Sequence, residues 1–282
     1  MSTRRIRSAD PRDVPAIRAI LAAHDEDEPG VEPDVTGPYL HHLITRHRAL
    51  VTIEGDTVVG YGATVETGLS THLADLFVHP DHLGVGIGRP LLDALFGDAS
   101  RRTTFASRDP RALPVYVRAG MLPTWMNLYL AGDVSALPPV EPGLSVTPAV
   151  ASVMASTEQA WTGADRRIDH EFWATRSGGD AFLVQDEHGP LALGHARAAA
   201  GSHGRALIRL TIRPDADPVA TVVAALRRAG AGGRVSVTLP GPNPALPVLL
   251  EHGFRIEDHD QAMASAADLV DPLHLLPNPA ML

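Results

Sequence analysis

The chain has 282 residues, of which 44% are hydrophobic and 20% charged, and its formal net charge is −9 at pH 7. That length has room for two ordinary domains, each with its own core. The sequence contains neither cysteine nor an unbroken apolar stretch of about 18 residues, which excludes disulfides, thiol chemistry and a membrane-spanning helix. The negative charge argues against nucleic acid as a partner and favours small cationic molecules. The N-terminus lacks the apolar core of a signal peptide, so we expect a cytoplasmic location.

Strand and helix patterns alternate along the first half of the chain. Asp10 is placed to cap a helix that has Pro11 at its first position, and Gly55-Asp56 predicts a hairpin turn. In chain order we predict a strand at 4–7, a helix at 11–23, strands at 50–54, 58–66 and 73–78, a helix after Gly88, a strand at 103–107, a helix at 110–118 and a strand at 125–130. This order favours a mixed, mostly antiparallel sheet flanked by helices.

The second half of the chain repeats the first. Residues 78–81 (VHPD) recur as 212–215 (IRPD), at an offset of 134 residues. Residues 112–115 (ALPV) recur as 245–248, at an offset of 133 residues. Blocks in the same order and nearly the same register indicate two copies of one fold.

The boundary between the copies is predicted in the segment 131–143 (AGDVSALPPVEPG). Two consecutive prolines and several small residues interrupt any helix or strand pattern there. We therefore predict one domain at 1–134 and a second at 143–282.

The most informative stretch of the first copy is 78–92, VHPDHLGVGIGRPLL. A strand enters a turn with glycines at 84, 86 and 88, and a helical pattern follows. Such a turn points successive backbone amides inward at a helix N-terminus, which makes an anion site. A P-loop is excluded because Arg89 and Pro90 follow Gly88, and the glycine spacing does not fit a dinucleotide fingerprint. A purely structural glycine-rich turn is the alternative.

This stretch resembles motif A of the GNAT superfamily, the acyl-CoA-dependent N-acyltransferases, which reads Q/R-x-x-G-x-G/A. In that family the backbone amides of the motif hold the pyrophosphate of coenzyme A. The resemblance implies that acetyl-CoA is the acyl donor and that the chain is α/β (α+β), with two tandem GNAT-like domains. Leu83 stands where the family has Arg or Gln. The cofactor-binding residues implied are Leu83, Gly84, Val85, Gly86, Ile87, Gly88 and Arg89.

Acyl transfer from a thioester to an amine needs a donor to the carbonyl oxygen, a base for the ammonium and an acid for the thiolate. In the GNAT family a splayed strand supplies the donor, which implies the amides of Phe77 and Val78. The acid of the family is a tyrosine in motif B, and Tyr116 occupies that position. Asp109 stands where the motif has Asn and is expected to contact the coenzyme.

The catalytic base has several candidates. Asp75 is the first choice because it lies on the strand that would line the acceptor cleft. His72 on the same strand and Glu66 at the end of the preceding strand are alternatives, as is a chain of water molecules. An ordinary charge on the sheet face would explain Asp75 equally well.

The acceptor is expected to be a small amine. Six carboxylates lie within the ten residues 25–34, among them Glu26, Asp27 and Glu28, and in the GNAT family this region forms a wall of the acceptor cleft. Together with Glu66 they would attract a polyamine or an aminosugar. The alternative is a solvated loop.

No metal site is predicted from the sequence. The 14 histidines are scattered, apart from His41-His42 with His47, and they form no spaced ligand set with an open coordination position.

The second copy has lost the residues of this chemistry. Pro218, Ala220 and Val222 replace the three glycines, and Leu249 replaces the tyrosine. Proline has no amide hydrogen, and a Cβ disfavours the tight turn. We therefore predict an enzyme, an N-acyltransferase that moves a short acyl group to a small amine in its first half. The alternative is a non-catalytic acyl-CoA sensor or assembly module.

Overall fold

The first half of the chain forms its strands and helices in nearly the predicted order. The computed structural model describes residues 4–24, 33–176, 178–199 and 204–282. The helix α2, which contains Pro38, was not predicted from the sequence. The elements are β1 (Arg4–Ser8), α1 (Val14–His24), α2 (Pro33–Arg46), β2 (Arg48–Glu54), β3 (Thr57–Glu66), β4 (Thr71–Val78), α3 (Gly88–Phe96), β5 (Arg102–Ala106), α4 (Ala112–Arg118) and β6 (Leu122–Asp133).

The second half repeats this series of strands and helices. Its elements are β7 (Ser145–Pro148), α5 (Ala151–Thr162), α6 (Arg167–Ala174), β8 (Asp180–Asp186), β9 (Gly189–Ala198), β10 (Arg205–Ile212), α7 (Pro218–Gly230), β11 (Arg234–Pro240), α8 (Ala245–Glu251), β12 (Arg255–Ala264) and the added β13 (Leu275–Leu276). The predicted class, a mixed and mostly antiparallel sheet flanked by helices, is confirmed.

One 13-stranded sheet passes through both halves, in the order β1-β2-β3-β4-β5-β12-β6-β11-β10-β9-β8-β7, with β13 beside β10. The pairs β4–β5 and β10–β11 are parallel, and the other pairs of neighbours are antiparallel. The last strand of each half is exchanged. β12 lies between β5 and β6, and β6 lies between β12 and β11. Each half therefore depends on the other half to complete its sheet.

The hydrophobic cores follow this exchange of strands. Met263 on β12 packs in the core beneath α3, with Leu73 and Leu91 of the first half. In the opposite direction, Leu128 and Leu130 on β6 pack in the core of the second half. The division at 1–134 and 143–282 thus describes the repeat of the sequence, whereas the packing joins the two parts.

A third core joins the halves through helices. Trp173 on α6 is 1% exposed and packs with Ile17 of α1 and Leu40 of α2. An aromatic side chain of the second half is therefore part of the first half's core.

Cutting the chain after residue 134 is expected to prevent independent folding of the first half. The fragment would lose the β12 partner of β5 and the burial of Met263, which by itself contributes about 1.5–3 kcal/mol. Size-exclusion chromatography and thermal melting measure the result, for which we expect aggregation or no cooperative transition. Co-expression of 1–140 with 141–282 serves as the control and should restore a folded complex. A monomeric 1–134 fragment with a cooperative melt would contradict this account.

Candidate active site

The candidate site begins where β4 and β5 separate. Their parallel pairing covers only Thr71–Leu73 against Arg102–Thr104. Ala74 is a bulge, since Leu73 pairs with Thr64 of β3 and Asp75 pairs with the adjacent Ala63. Beyond Leu73 the two strands diverge and leave an opening beside β4, which we call the fork. The hydroxyl of Thr104 donates a hydrogen bond to the Leu73 carbonyl, 3.0 Å away, at the base of the fork.

The backbone of Val78 faces this fork. The His79 amide donates to the Val59 carbonyl at 3.0 Å, so His79 forms a hydrogen-bonded pair with β3. Such pairs alternate along an antiparallel ladder, which places the Phe77 amide toward Tyr61 on β3 and the Val78 amide away from β3. The Val78 carbonyl, on that same side, lies 2.7 Å from Nε2 of His24. Of the two donors inferred from the sequence, only the Val78 amide therefore points into the fork.

The glycine turn lies between β4 and α3. Gly84 and Gly86 have φ angles of +76° and +82°, in the left-handed region that favours glycine. A Cβ at either position would meet no atom within 4 Å, so the backbone conformation, rather than crowding, requires glycine. Arg4 donates to the Val85 carbonyl at 2.9 Å. No side chain caps α3 at Ile87, so within the described residues its first-turn amides remain available to an anion.

Two predicted coenzyme contacts already have partners within the protein. The Arg89 guanidinium binds both oxygens of Asp93, at 2.8 and 2.9 Å. The Asp109 carboxylate accepts from the backbone amide of Arg111 at 2.8 Å and from its guanidinium at 2.6 Å, and these bonds lower the pKa of Asp109. Asp109 thus stabilises the turn that leads into α4. Leu83 is 36% exposed beside the glycine turn.

Asp75 lies on β4 at the start of the fork, beside two tyrosines. The hydroxyl of Tyr39 donates to its carboxylate at 3.0 Å. Burial raises the pKa of Asp75 to about 6, against the opposing effect of the hydrogen bond from Tyr39. The Asp75 side chain nevertheless keeps partial solvent access. A carboxyl group with a pKa near neutrality is suited to general base catalysis. Tyr39 was not identified from the sequence because the helix that carries it, α2, was not predicted.

Tyr116 on α4 lies close to the same carboxylate. Its ring is 9% exposed and packs with Leu73 and Leu91. Burial, and then the negative charge of Asp75, raise the pKa of Tyr116 to about 12. The hydroxyl is therefore protonated throughout the physiological pH range. The negative charge of Asp75 therefore acts on Tyr116, although the two residues lie 41 positions apart in the sequence.

His72 and Glu66 are differently placed. His72 is fully buried, with Nδ1 3.1 Å from the Thr103 hydroxyl and Nε2 3.1 Å from the Pro279 carbonyl. Burial lowers the pKa of His72 to about 4, and both ring nitrogens have partners, which fits a structural role. Glu66 accepts a hydrogen bond from Thr71 at 2.9 Å, at the closed end of the fork. Glu66 pairs with Thr71, four residues before Asp75 on β4, and therefore lies apart from the open end of the fork.

The predicted acidic wall of the acceptor cleft cannot be placed. Glu26, Asp27 and Glu28 lie outside the described residues.

The equivalent region of the second half is closed. Asp217, which corresponds to Leu83, accepts from the amides of Val219 and Ala220 at 2.8 and 3.3 Å. Its carboxylate therefore occupies the N-terminus of α7, where an anion would otherwise bind. β13 pairs with Leu210 and Thr211 of β10, and so fills the space into which the fork would open.

The position of Asp75 is taken in the second half by Arg209. This arginine forms a buried ion pair with Glu158, with nitrogen–oxygen distances of 2.6 and 2.9 Å. The tyrosine position holds Leu249, which is fully buried. The second half retains the fold of the first. Where the first half has an open polar site, the second half has hydrogen bonds and an ion pair between its own residues.

This geometry agrees with the comparisons to known proteins. Residues 39–125 match the family model described as acetyltransferase (GNAT) domain. The matched segment contains the fork, the glycine turn and Tyr116, and the second half of the chain repeats its series of strands and helices.

A curated relative and two solved structures extend the match beyond that segment. Mycothiol acetyltransferase from Parafrankia sp. (strain EAN1pec) is 29% identical over 209 residues, which are 70% of this chain and 61% of the relative. The chain thus matches less than two thirds of the relative's length. A putative acetyltransferase from Pyrococcus horikoshii has a TM-score of 0.68 at 15% identity, covering 99% of this chain and 94% of its own. A tandem GNAT protein from the clavulanic acid biosynthesis pathway has a TM-score of 0.61 at 15% identity, covering 95% of this chain and 100% of its own.

Among the described residues, no helix is long and apolar enough to cross a membrane.

Proposed function

We propose that this chain is an N-acetyltransferase that moves the acetyl group of acetyl-CoA to a primary amine of a small molecule. The observation that supports the proposal is the open fork of the first half, which Asp75 and the Val78 backbone border and where the charge of Asp75 acts on Tyr116. The closed fork of the second half supports a single site per chain.

The acyl donor is proposed to bind at the glycine turn and along the fork. Its pyrophosphate would accept hydrogen bonds from the amides of the turn 84–88 and the first turn of α3. The extended pantetheine arm carries amide groups of its own, which suits an opening lined by unpaired strand backbone. Arg89 could reach the phosphates only by leaving Asp93, an exposed pair whose loss costs about 0.2–0.5 kcal/mol.

The reaction is proposed to proceed by direct attack. Asp75 takes a proton from the ammonium group of the acceptor, and the free amine nitrogen then attacks the thioester carbon. The Val78 amide donates to the carbonyl oxygen as negative charge develops there. The carbon–sulfur bond breaks and Tyr116 gives its proton to the leaving thiolate. The nitrogen loses its second proton, which restores the Tyr116 hydroxyl through solvent, so the products are a neutral amide, free coenzyme A and the proton held by Asp75. The negative charge of the chain favours a cationic acceptor.

A non-catalytic acyl-CoA sensor would bind at the same turn. It would need neither a base near pKa 6 nor a protonated tyrosine beside it. The two predictions below separate that alternative from an enzyme.

Replacing Tyr116 by Phe keeps the ring in its core and removes the proton donor. We expect kcat to fall by about 10²–10⁴-fold, with the affinity for acetyl-CoA nearly unchanged. Tyr129→Phe is the comparison variant, because it removes another tyrosine hydroxyl, one that is bound to Asp260 on β12. Steady-state kinetics with a panel of amines gives the measurement. A Tyr116→Phe enzyme within twofold of wild type, under conditions where chemistry limits the rate, would refute the acid role.

The role of Asp75 predicts a particular dependence on pH. The base must be deprotonated, so kcat/KM should rise with pH through about 6 and then level off as far as this group is concerned. Asp75→Asn should remove this limb and lower the plateau by about 10²–10⁴-fold. Tyr39→Phe deletes a hydrogen bond that lowers the pKa of Asp75, and the limb should therefore move to higher pH. An unchanged limb in both variants would assign it to another group.

A further inference from the structure

A second cluster of polar side chains lies where the two halves meet, apart from the fork. It consists of His42 at the end of α2, His47 just beyond that helix and Asp169 on α6. Oδ1 of Asp169 lies 3.0 Å from Nε2 of His42 and 2.8 Å from Nε2 of His47. The two imidazole nitrogens are 3.2 Å apart. All three side chains are buried, with exposed fractions of 8%, 6% and 2% respectively.

The three atoms form a triangle of the size that a tetrahedral metal ion requires. Ligands bound to Zn²⁺ at about 2.0–2.1 Å are separated from one another by about 3.3 Å. The edges measured here are 2.8, 3.0 and 3.2 Å. An ion about 2.1 Å from each atom would lie roughly 1 Å outside the plane of the triangle. That position leaves a fourth coordination site open on the same side.

The polar contacts of the cluster converge on one point. Each imidazole nitrogen faces both the same carboxylate oxygen and the other nitrogen. If both nitrogens carry protons, the two lone pairs of that oxygen can accept both hydrogens, but the nitrogens then face each other at 3.2 Å as two donors. If one of them does not, its lone pair faces the carboxylate. A cation at the common point would bind all three atoms through their lone pairs.

The surrounding residues orient the three ligands. Oδ2 of Asp169 accepts from Nε of Arg166 at 2.7 Å, which leaves Oδ1 free to bind a metal in monodentate fashion. Arg166 is itself held by the Met281 carbonyl at 2.6 Å. The ring of His42 stacks on Phe172, with ring centres 4.2 Å apart. Contacts of this kind fix the direction of metal ligands.

A surface groove gives access to the cluster. Its volume is about 720 Å³, and it runs between α2 and α6 with His42 in its wall. The other lining residues are Pro38, His41, Thr45, Arg46, Phe172, Thr175 and Arg176. His42 therefore borders solvent, and the groove is the side from which an ion or a water molecule would approach the cluster.

We propose that His42, His47 and Asp169 bind one divalent transition-metal ion of the Zn²⁺ type, which clamps α2 of the first half to α6 of the second. Two imidazoles and one carboxylate favour Zn²⁺, Co²⁺ or Ni²⁺ over Mg²⁺ or Ca²⁺. This departs from the sequence prediction of no metal. Asp169 is 122 residues from His47, so no local spacing could reveal it.

The test is a zinc titration of the intact chain. The protein is treated with EDTA, dialysed and titrated with Zn²⁺ by calorimetry, and its thermal midpoint is measured with and without the ion. We expect one Zn²⁺ per chain, a rise in midpoint that EDTA reverses, and no rise with Mg²⁺. His47→Ala and Asp169→Asn should each weaken Zn²⁺ binding by about tenfold or more.

Two variants make the result decisive. His41→Ala removes a histidine that lines the same groove outside the cluster, and it should bind Zn²⁺ as tightly as wild type. His47→Gln keeps a hydrogen-bonding group beside Asp169, and it should fold but bind Zn²⁺ weakly. Absence of stoichiometric Zn²⁺ binding by the folded wild-type chain would overturn the proposal. Equal losses in His41→Ala and His47→Ala would also overturn it. Neither readout depends on acetyl transfer.

Discussion

The short parallel contact between β4 and β5 is the constraint on which the candidate site depends. Because the pairing ends at Leu73 and Ala74 bulges, the next residues of β4 keep backbone groups that no strand satisfies on the fork side. That geometry places the Val78 amide in the fork. It also sets Asp75 at the start of the opening, where the negative charge of Asp75 raises the pKa of Tyr116. A sheet paired along its full length would have no such opening.

The second half shows what happens when the same fold closes this opening. β13 lies along β10 where the fork would be, and the Asp217 carboxylate takes the helix amides that an anion would need. An arginine–glutamate ion pair occupies the position of the Asp75 carboxylate. These substitutions give the helix amides and the buried charges of the second half partners within the protein. Its polar groups therefore need no ligand. Fold and site chemistry are therefore separable in this chain.

The sequence predicted those features that depend on neighbouring residues or on the repeat between the two halves. The glycines at 84 and 86 adopt the left-handed angles that their spacing indicated, and the two-copy order of elements followed from matching blocks. Tyr116 was selected by motif position and Asp75 by its place on the predicted strand, and the charge of Asp75 acts on Tyr116 in the structure. The predicted strands on either side of the glycine turn lie close to the observed ones.

Features that depend on distant pairing could not be predicted. Helix α2 has Pro38 within it and no clear start signal, so Tyr39 was missed. The exchange of β6 and β12 could not be predicted from either half alone, because each strand pairs with a strand of the other half. His72 was a candidate base until its partner Pro279, 207 residues away, identified it as structural.

The account is tested most directly by calorimetry of acetyl-CoA binding to the intact chain. One site per chain is expected. Gly86→Ala should weaken binding by about 5–30-fold, since the free variant can relax out of the left-handed region and binding must restore that conformation at about 1–2 kcal/mol. Gly88→Ala should bind almost as wild type, because its added Cβ would meet Val78 at an ordinary 3.7 Å. Two sites per chain, no binding, or an equal response of the two glycine variants would contradict the assignment of the fork and glycine turn as the acyl-CoA site.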